Sequence, residues 1–480
     1  MVGITSYAAY IPWCRIQRMS IYAAMGWLNP ASLLPGEKAV ANYDEDSISL
    51  AANAAHLCVG GLPPEEIDGV YFATTTAPYA ERQNAGIIGS SLDLRSDVRT
   101  SDFTDSVKSG TGALIAAYDA IKSGSAQSIV VATADCRLGK PGAYLEEMYG
   151  DAAAALLVGN SKVIASIEGT YSTSHDFVDH WRWNAGAFNR NWEDRWIRDE
   201  GYGKHVPEAI SGLLQKYNIK PSEIAKLVFP CMYTAAHSRI AKNLGFNPDQ
   251  VQDHMFTQIG HAGAAYPLVL LAAALETAKP GDKVIVVSYG NGCDALLLQV
   301  TDEITKMTPQ RSVAQQLAHR KDLTYERFLV CSDVLDIDTG GRGDDIGPSP
   351  MSSWWRHSRA INGLVGSQCK SCGSPQFPPQ RICANPSCGA VDEIEDYRFA
   401  GRKAKLSSYT GDMLAFSYNP PAVYGYVDFD GGGRMMLDVT DTELESCSVD
   451  MPVELTFRRK YRDPGRGVSG YFWKAIPVIQ

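Results

Sequence analysis

Between residues 40 and 300, short runs of β-branched, wholly apolar residues alternate with longer Ala- and Leu-rich stretches, with Gly-containing turns between them. Apolar runs of strand length mark strands covered on both faces, and the Ala-rich stretches mark the helices that cover them. The pattern therefore predicts an α/β, layered α-β-α domain. Ser128–Ala134 (SIVVATA) reads as one such strand behind a helix over Gly112–Lys122, and Lys283–Tyr289 (KVIVVSY) as another behind a helix over Pro267–Thr277. An Ala/Leu-rich strand follows each, at Ala152–Val158 and Ala295–Val300. The shared order suggests an internal duplication offset by about 150 residues; chance recurrence of α/β units is the competing reading. Met1–Arg15 carries β-branched and aromatic residues without a basic start and a long apolar stretch, which predicts a first strand and no signal peptide.

The pattern changes over 301–353, where Asp338–Pro350 is rich in Gly, Asp and Pro and reads as a linker. A short Trp/Arg-rich helix is expected over Ser353–Leu364, followed by a cysteine cluster. From 398 to 480 short strands alternate with turns at Asn419–Pro421 and Asp430–Gly433, the pattern of a small all-β barrel. The longest apolar run, Tyr266–Leu275, is about half of the ~20 residues needed to cross a bilayer. No membrane partner and a cytoplasmic location are the expectations.

With 480 residues, 45% hydrophobic and 20% charged, the composition excludes a mostly disordered or collagen-like chain. Lys plus Arg is 44 against 54 for Asp plus Glu, and no long basic run is present, so nucleic acid is not expected as a partner. The eleven cysteines are an odd number, and four of them crowd between Cys369 and Cys388. This is the usage of a reducing compartment with one metal site and otherwise free thiols. Cys369-x-x-Cys372, ten intervening residues, and Cys383-x-x-x-x-Cys388 form two paired-cysteine knuckles. Four thiolates from two tight turns suit tetrahedral zinc in a closed, structural site. An iron–sulfur cluster or four unrelated buried cysteines are the alternatives.

This ribbon, the helix before it, Phe377-Pro-Pro379 and the barrel behind it resemble the acyl-CoA-associated family that joins a rubredoxin-like zinc ribbon to an OB-fold, over about residues 352–480. The resemblance implies association with thiolase-like proteins and a part in forming an acyl-CoA pocket or tunnel. Residues 1–300 resemble the thiolase superfamily, in the branch of 3-hydroxy-3-methylglutaryl-CoA synthase and β-ketoacyl synthase III. The matching stretches are Ala73–Thr76 (ATTT), Gly110–Leu114 (GTGAL), Gly150–Ala155 (GDAAAA), Asp176–Arg182 (DFVDHWR), Ile259–Gly263 (IGHAG) and Ser288–Gly292 (SYGNG). The resemblance implies a duplicated α-β-α-β-α sandwich with halves at 1–165 and 166–305. A linker over 306–351, a helix and zinc ribbon over 352–397 and an OB-type β-barrel over 398–480 complete the expected order. It further implies an acyl-CoA thioester substrate, a homodimer, and compatibility with a larger complex containing another acyl-CoA enzyme.

In the resembled family a cysteine at a helix N-terminus takes the acyl group, because unpaired N–H groups and the helix dipole stabilise its thiolate. Aligning Gly110–Leu114 with that helix puts Val107 at the nucleophile position, and a one-residue slip offers Ser106. The family's general-base glutamate falls near Thr75 or Thr76, neither of which is acidic, with Glu81 a few residues on. Its oxyanion-hole histidine corresponds to Tyr233, or to Pro230 with His237 displaced, within Phe229–His237. The third polar position is His261. Tyr233, His261 and His237 are thus the implied catalytic residues, and Thr75, Thr76 and Asn291 the implied substrate-binding ones. Cys231 and Cys293, in loops that border the family's site, are candidates for a relocated thiol. The aromatic-rich stretch Trp181–Trp196 is a candidate pocket or dimer surface.

Claisen chemistry through an acyl-enzyme needs the thiol. An aldol or retro-aldol step on a β-hydroxyacyl-CoA needs only a base for the β-hydroxyl proton and donors for the thioester enolate. The expectation is therefore an acyl-CoA C–C lyase (aldolase) or acyltransferase of the thiolase superfamily that works without a cysteine acyl-enzyme. Two other readings stay open: a hydroxymethylglutaryl-CoA-synthase-like acyltransferase with a relocated nucleophile, and a non-catalytic acyl-CoA-binding subunit. The acyl group and the direction of reaction also stay open.

Overall fold

The computed structural model describes residues 1–30, 33–183, 186–343 and 347–479, so residues 184–185 of the aromatic-rich stretch and 344–346 of the expected linker lie outside the described residues. The chain forms two compact units, one of residues 1–42, 46–86 and 96–335, the other of 43–45, 87–95 and 336–480. Among the described residues no helix is long and apolar enough to cross a membrane.

The first unit is built on nine strands in the order Lys226–Val228, Lys283–Tyr289, Gly292–Val300, Ala165–Ser174, Gly3–Tyr10, Ala152–Gly159, Ser128–Asp135, Gly69–Ala73 and Arg99–Phe103. Two similar series meet in the middle. Gly69–Ala73 runs parallel to Ser128–Asp135, which pairs antiparallel with Ala152–Gly159. In the other series Lys226–Val228 runs parallel to Lys283–Tyr289, which pairs antiparallel with Gly292–Val300. The duplication in the apolar pattern is thus a duplication of strand pairing. Two helices lie between the halves, Ser109–Lys122 and Tyr266–Leu275, each packed on strands of both series and on each other. Nearly every side chain of Tyr266–Leu275 is buried, as a helix apolar all round requires. Outside, Ser47–Val59 covers one series and Gly203–Tyr217 the other, completing five α-β-α-β-α layers.

Local sequence explains the close packing. Ala153 and Ala155 on one face of their strand are wholly buried, and Ala51, Ala52, Ala54 and Ala55 of the outer helix are too, so small side chains let the layers approach closely. That helix starts where Asp46 accepts the Ser49 N–H and Ser49 Oγ accepts the Asp46 N–H, a reciprocal cap. Part of the stretch expected as linker has structure of its own. Val313–Ala318 and Tyr325–Cys331 are helices of the first unit, and Val313, Leu323, Tyr325 and Phe328 are buried. Gly, Asp and Pro mark a linker only after residue 335, because the apolar spacing before it is still that of packed helices. The single helix expected over Ser353–Leu364 is two short ones, Met351–Arg356 and Ser358–Ile361.

In the second unit, strands Val365–Cys369, Pro375–Gln376 and Ile394–Arg398 frame the cysteine knuckles. The four Sγ atoms lie within 4.8 Å of one another, with Cys369–Cys388 at 3.8 Å and Cys372–Cys383 at 3.5 Å. Tetrahedral zinc with bonds of about 2.3 Å sets its sulfurs roughly 3.8 Å apart, so these cysteines fit the metal without rearrangement. Behind them five strands run in the order Arg434–Asp438, Ala422–Phe429, Ala404–Asp412, Met451–Asp463 and Val468–Pro477. A parallel bridge from Val439 to Ala475 joins the first of these to the last and closes the barrel.

One barrel strand is buried on both faces at neighbouring residues. Phe457 points to the core beside Tyr471 and Trp473, while Arg458 meets Asp44 at 3.0 Å, Glu45 at 2.7 Å and Asp441 on the other face. Lys474 reaches Asp44 at 2.9 Å. Burial opposes the charge on Asp44, but Lys474 and Arg458 more than offset it and bring its pKa down to about 2 from 3.8.

Two outcomes follow for this unit. Elemental analysis is expected to find one zinc per chain, and Cys383→Ala or Cys388→Ala to lose it while making the ribbon sensitive to proteolysis; metal-free wild type with an intact ribbon would contradict this. A carboxylate with a depressed folded pKa stabilises above its unfolded value and loses that contribution as pH falls through the folded one. Asp44 should therefore contribute about 2 kcal/mol above pH ~4, lost between pH ~4 and ~2. Denaturant unfolding across that range should show a steeper loss in wild type than in Asp44→Asn.

Candidate active site

The first unit carries an open cleft near the head of the helix Ser109–Lys122. Val107, two residues before the helix, forms part of its wall and is buried. The turn Ser288–Gly292 presses on this point: a Cβ at Gly290 would lie 2.8 Å from Val107 Cγ2 and 2.7 Å from Ser106 Oγ. Ser106 gives its hydroxyl proton to the Gly290 carbonyl at 2.9 Å and is absent from the lining. Val107 therefore presents only methyl groups to the cleft.

The other wall is built by the Gly-His-Ala-Gly turn. Gly260 and Gly263 have φ of +78° and +57°, a region open to glycine at little cost. Gly150 packs so tightly here that a Cβ would lie 1.8 Å from the Ile259 carbonyl oxygen. Between these contacts His261 is held in the cleft. Its Nδ1 receives the Arg137 Nη2–H at 2.6 Å and the Gly263 N–H at 3.2 Å, so the ring proton resides on Nε2. Burial first, then the Arg137 charge, push the His261 pKa well down, and the ring is neutral at physiological pH. His261 is thus a neutral Nε2–H donor.

Arg137 lies with its guanidinium 4.0 Å from the centre of the Tyr149 ring. It is buried, and among the described residues no carboxylate is within ion-pair distance of it. Tyr233, just before the helix Thr234–Asn243, also lines the cleft. Burial first, then the Asp194 carboxylate, raise its pKa far above the usual phenol range. That environment fits the hydroxyl for giving a hydrogen bond and not for taking a proton.

The remaining expected residues lie elsewhere. His237 does not line the cleft; it stacks on Phe229 with ring centres 3.7 Å apart, and its Nε2 lies 3.2 Å from the Phe229 carbonyl oxygen. Burial and the neighbouring His254 push its pKa down to about 4, so it is a neutral core histidine. Thr75 and Thr76 bind no part of the cleft directly. Their hydroxyls, at 3.0 and 3.1 Å, donate to Asp135 Oδ1. Asn291 sits in a turn with φ +52° and donates to the Phe177 carbonyl, away from the lining. Cys231 and Cys293 are buried outside the lining; burial pushes the Cys231 thiol up to about 12 and the Cys293 thiol higher still. Glu81 is exposed and also lies outside the lining.

The sequence reading missed three residues. Arg137 had no motif to announce it. Asp179 and His180 lie inside the stretch Asp176–Arg182, where an adjacent Asp-His pair was the available signal. His180 lines the cleft, and its Nδ1 is 3.0 Å from Asp179 Oδ1. Asn191 and Asp194 of the aromatic-rich stretch line it as well, while Trp181, Trp183, Trp192 and Trp196 are exposed.

Comparison with known proteins agrees with this architecture. Residues 214–300 match the family model of the 3-oxoacyl-[acyl-carrier-protein] synthase III C terminal. Residues 356–392 match the ChsH2 rubredoxin-like zinc ribbon domain and 397–458 the ChsH2 C-terminal OB-fold domain. The four cysteines accordingly hold a structural zinc. Among solved structures, an HMG-CoA synthase complexed with CoA superposes with a TM-score of 0.62 at 17% identity, covering 71% of this chain and 92% of that one. The 3-oxoacyl-[acyl-carrier-protein] synthase III of Aquifex aeolicus gives 0.56 at 20% identity, covering 62% and 100%. The hydroxymethylglutaryl-CoA synthase of Methanopyrus kandleri is 30% identical over 336 residues, 68% of this chain and 96% of that protein. That of Methanocaldococcus jannaschii is 32% identical over 332 residues, 67% and 95% respectively. With a five-layered duplicated fold, a cleft at the expected helix and relatives matched over nearly their whole length, the chain belongs to the hydroxymethylglutaryl-CoA synthase family of the thiolase superfamily, fused to a zinc ribbon and an OB-fold.

Proposed function

We propose that this protein makes or cleaves a carbon–carbon bond of a β-hydroxyacyl-CoA by aldol or retro-aldol chemistry, without a cysteine acyl-enzyme. The observation that carries the reading is Val107 in the cleft, at the head of the helix, facing two proton-bearing donors, His261 and Tyr233. A valine forms no thioester, yet the groups that stabilise a thioester oxyanion are present.

In the cleavage direction a base takes the β-hydroxyl proton and the Cα–Cβ bond breaks. A ketone or aldehyde leaves, and the electron pair passes into the thioester as an enolate. The His261 Nε2–H and the Tyr233 O–H are the donors for the enolate oxygen, and a returning proton at Cα gives the shorter acyl-CoA. Condensation is the same path reversed. Arg137 supports this arrangement by fixing the His261 tautomer and by adding positive charge beside the developing anion. The competing reading, acyl transfer by a relocated thiol, is weakened because Cys231 and Cys293 lie outside the lining with their thiols held protonated. A cytoplasmic homodimer, able to work with another acyl-CoA enzyme, fits the resemblance of both modules.

Incubation with acetyl-CoA and longer acyl-CoAs followed by intact-protein mass spectrometry should find no acyl adduct, and a panel of β-hydroxyacyl-CoAs should be turned over. A stable adduct on any cysteine would sink the proposal. Binding without turnover of the whole panel would favour a non-catalytic subunit. Tyr233→Phe and His261→Ala should each lower kcat by about 10²- to 10³-fold without loss of fold. Arg137→Met removes a charge that depresses His261, so the pKa of that ring, followed by NMR, should rise and turnover should fall at the acidic end of the pH range.

A further inference from the structure

The proposed reaction leaves one role unfilled, because the donors that suit the enolate are poor bases: Tyr233 holds its proton, and the Nδ1 lone pair of His261 is already occupied. We infer that Asp179 and His180 act as a pair, with His180 the general base of this site and Asp179 the residue that positions it.

Asp179 stands at ion-pair distance behind His180, where an orienting carboxylate sits behind a histidine base, although His180 Nδ1 makes no aligned hydrogen bond to it in the resting structure. His180 stands in the wall of the cleft that also holds Tyr233, His261 and Val107. Behind it Asp179 is almost wholly buried, with Oδ1 3.0 Å from His180 Nδ1 and accepting the His180 backbone N–H at 2.6 Å. A carboxylate on that side favours the Nδ1–H tautomer, which leaves the Nε2 lone pair for the cleft. Asp179 is itself anchored: its N–H donates to Phe177 O at 3.0 Å and its carbonyl accepts the Trp192 N–H at 2.8 Å. Burial works against charge on this carboxyl, but His180 and the Tyr289 hydroxyl outweigh it and hold its pKa below the usual range. Asp179 therefore stays anionic and can stabilise the imidazolium that forms when His180 takes a proton. The titratable groups around the pair are Tyr149, Tyr233, Tyr289, His205 and His261, with Asp194 on the cleft wall. Of these only Asp194 is a rival base, and its carboxylate is engaged by the Asn191 amide at 3.1 Å.

The role rests on the reaction proposed above, and the step balances within the substrate. His180 Nε2 takes the β-hydroxyl proton as the Cα–Cβ bond breaks and the carbonyl product forms. The same proton then returns from Nε2 to Cα of the enolate, leaving the acyl-CoA and a neutral histidine.

The test uses the full chain with three variants and two independent readouts. With the best β-hydroxyacyl-CoA, His180→Gln should lower kcat by about 10²- to 10⁴-fold with little change in KM. Asp179→Asn should lower kcat comparably and shift the acidic limb of the pH profile, which a merely structural role would not do. Separately, NMR of ¹⁵N-histidine-labelled protein should find His180 with its proton on Nδ1 in wild type and lose that preference in Asp179→Asn. If wild type turns over no β-hydroxyacyl-CoA, the reaction is misread, and the tautomer measurement still decides the pair. An Nε2–H tautomer at His180, or near-wild-type turnover in His180→Gln with the loss confined to Asp194→Asn, would overturn the assignment.

Discussion

The site depends on one buried carboxylate. Asp135 ends the strand Ser128–Asp135 with no exposed surface, where an unpaired charge would be prohibitive. Its Oδ1 accepts the Thr75 N–H at 2.6 Å and the hydroxyls of Thr74, Thr75 and Thr76 at 2.9 to 3.1 Å, while Oδ2 accepts the Ala264 N–H at 2.7 Å. Two loops distant in sequence are thereby tied to one strand end. The second is the Gly-His-Ala-Gly turn, so satisfying Asp135 places His261. Gly263 has no Cβ for the same reason: one built there would lie 2.0 Å from Asp135 Oδ2. Thr75 and Thr76 thus bear on the cleft through Asp135, which holds the Gly-His-Ala-Gly turn.

The start of the helix Ser109–Lys122 gives the cleft an electrostatic preference that the proposed reaction would use without a thiol. The helix Ser109–Lys122 still begins beside the cleft, and its dipole still favours negative charge there. The residue of the cleft wall just before that helix is Val107, which carries no thiol. In the proposed reaction the preference acts, together with His261 and Tyr233, on an oxyanion made transiently from substrate. The two buried thiols Cys231 and Cys293 have environments unlike a nucleophile's, because apolar burial raises a thiol's pKa, whereas a nucleophile needs it lowered.

Much of this was legible in sequence, unevenly. The duplicated strand pairing followed from the apolar runs at Ser128–Ala134 and Lys283–Tyr289, and the zinc site from cysteine spacing alone. That Val107 lies just before the helix was legible because a short glycine-bearing motif fixes its register with it. His237 was misplaced since one-dimensional spacing cannot tell a histidine stacked on Phe229 from one facing a cleft. Asn291 and the two threonines were assigned to substrate because loop residues near a motif look alike until their hydrogen bonds are known. Arg137 and the pair Asp179–His180 were not read, because their meaning comes from contacts across the fold: Arg137 from a histidine 124 residues away, His180 from a shared wall with Tyr233 and His261. The start of the linker was misplaced for a related reason, since buried Leu323 and Phe328 are spaced like any short amphipathic segment.

Two buried arginines are held in different ways. Arg458 is met by three carboxylates, Asp44, Glu45 and Asp441, and removing the arginine costs several kcal/mol because buried carboxylates are then left without their cation. Its role is complete in the folded barrel. Arg137 is as thoroughly buried but rests on the face of Tyr149 and the lone pair of a neutral histidine, with no carboxylate in ion-pair distance among the described residues. Those contacts orient a cation without neutralising it. A buried positive charge held in this way gains most when negative charge appears beside it, and in the proposed reaction the enolate brings that charge to the donor that Arg137 positions. The interaction is then stronger in the transition state than in the resting enzyme, which is the condition for it to accelerate the step and not merely to tighten binding.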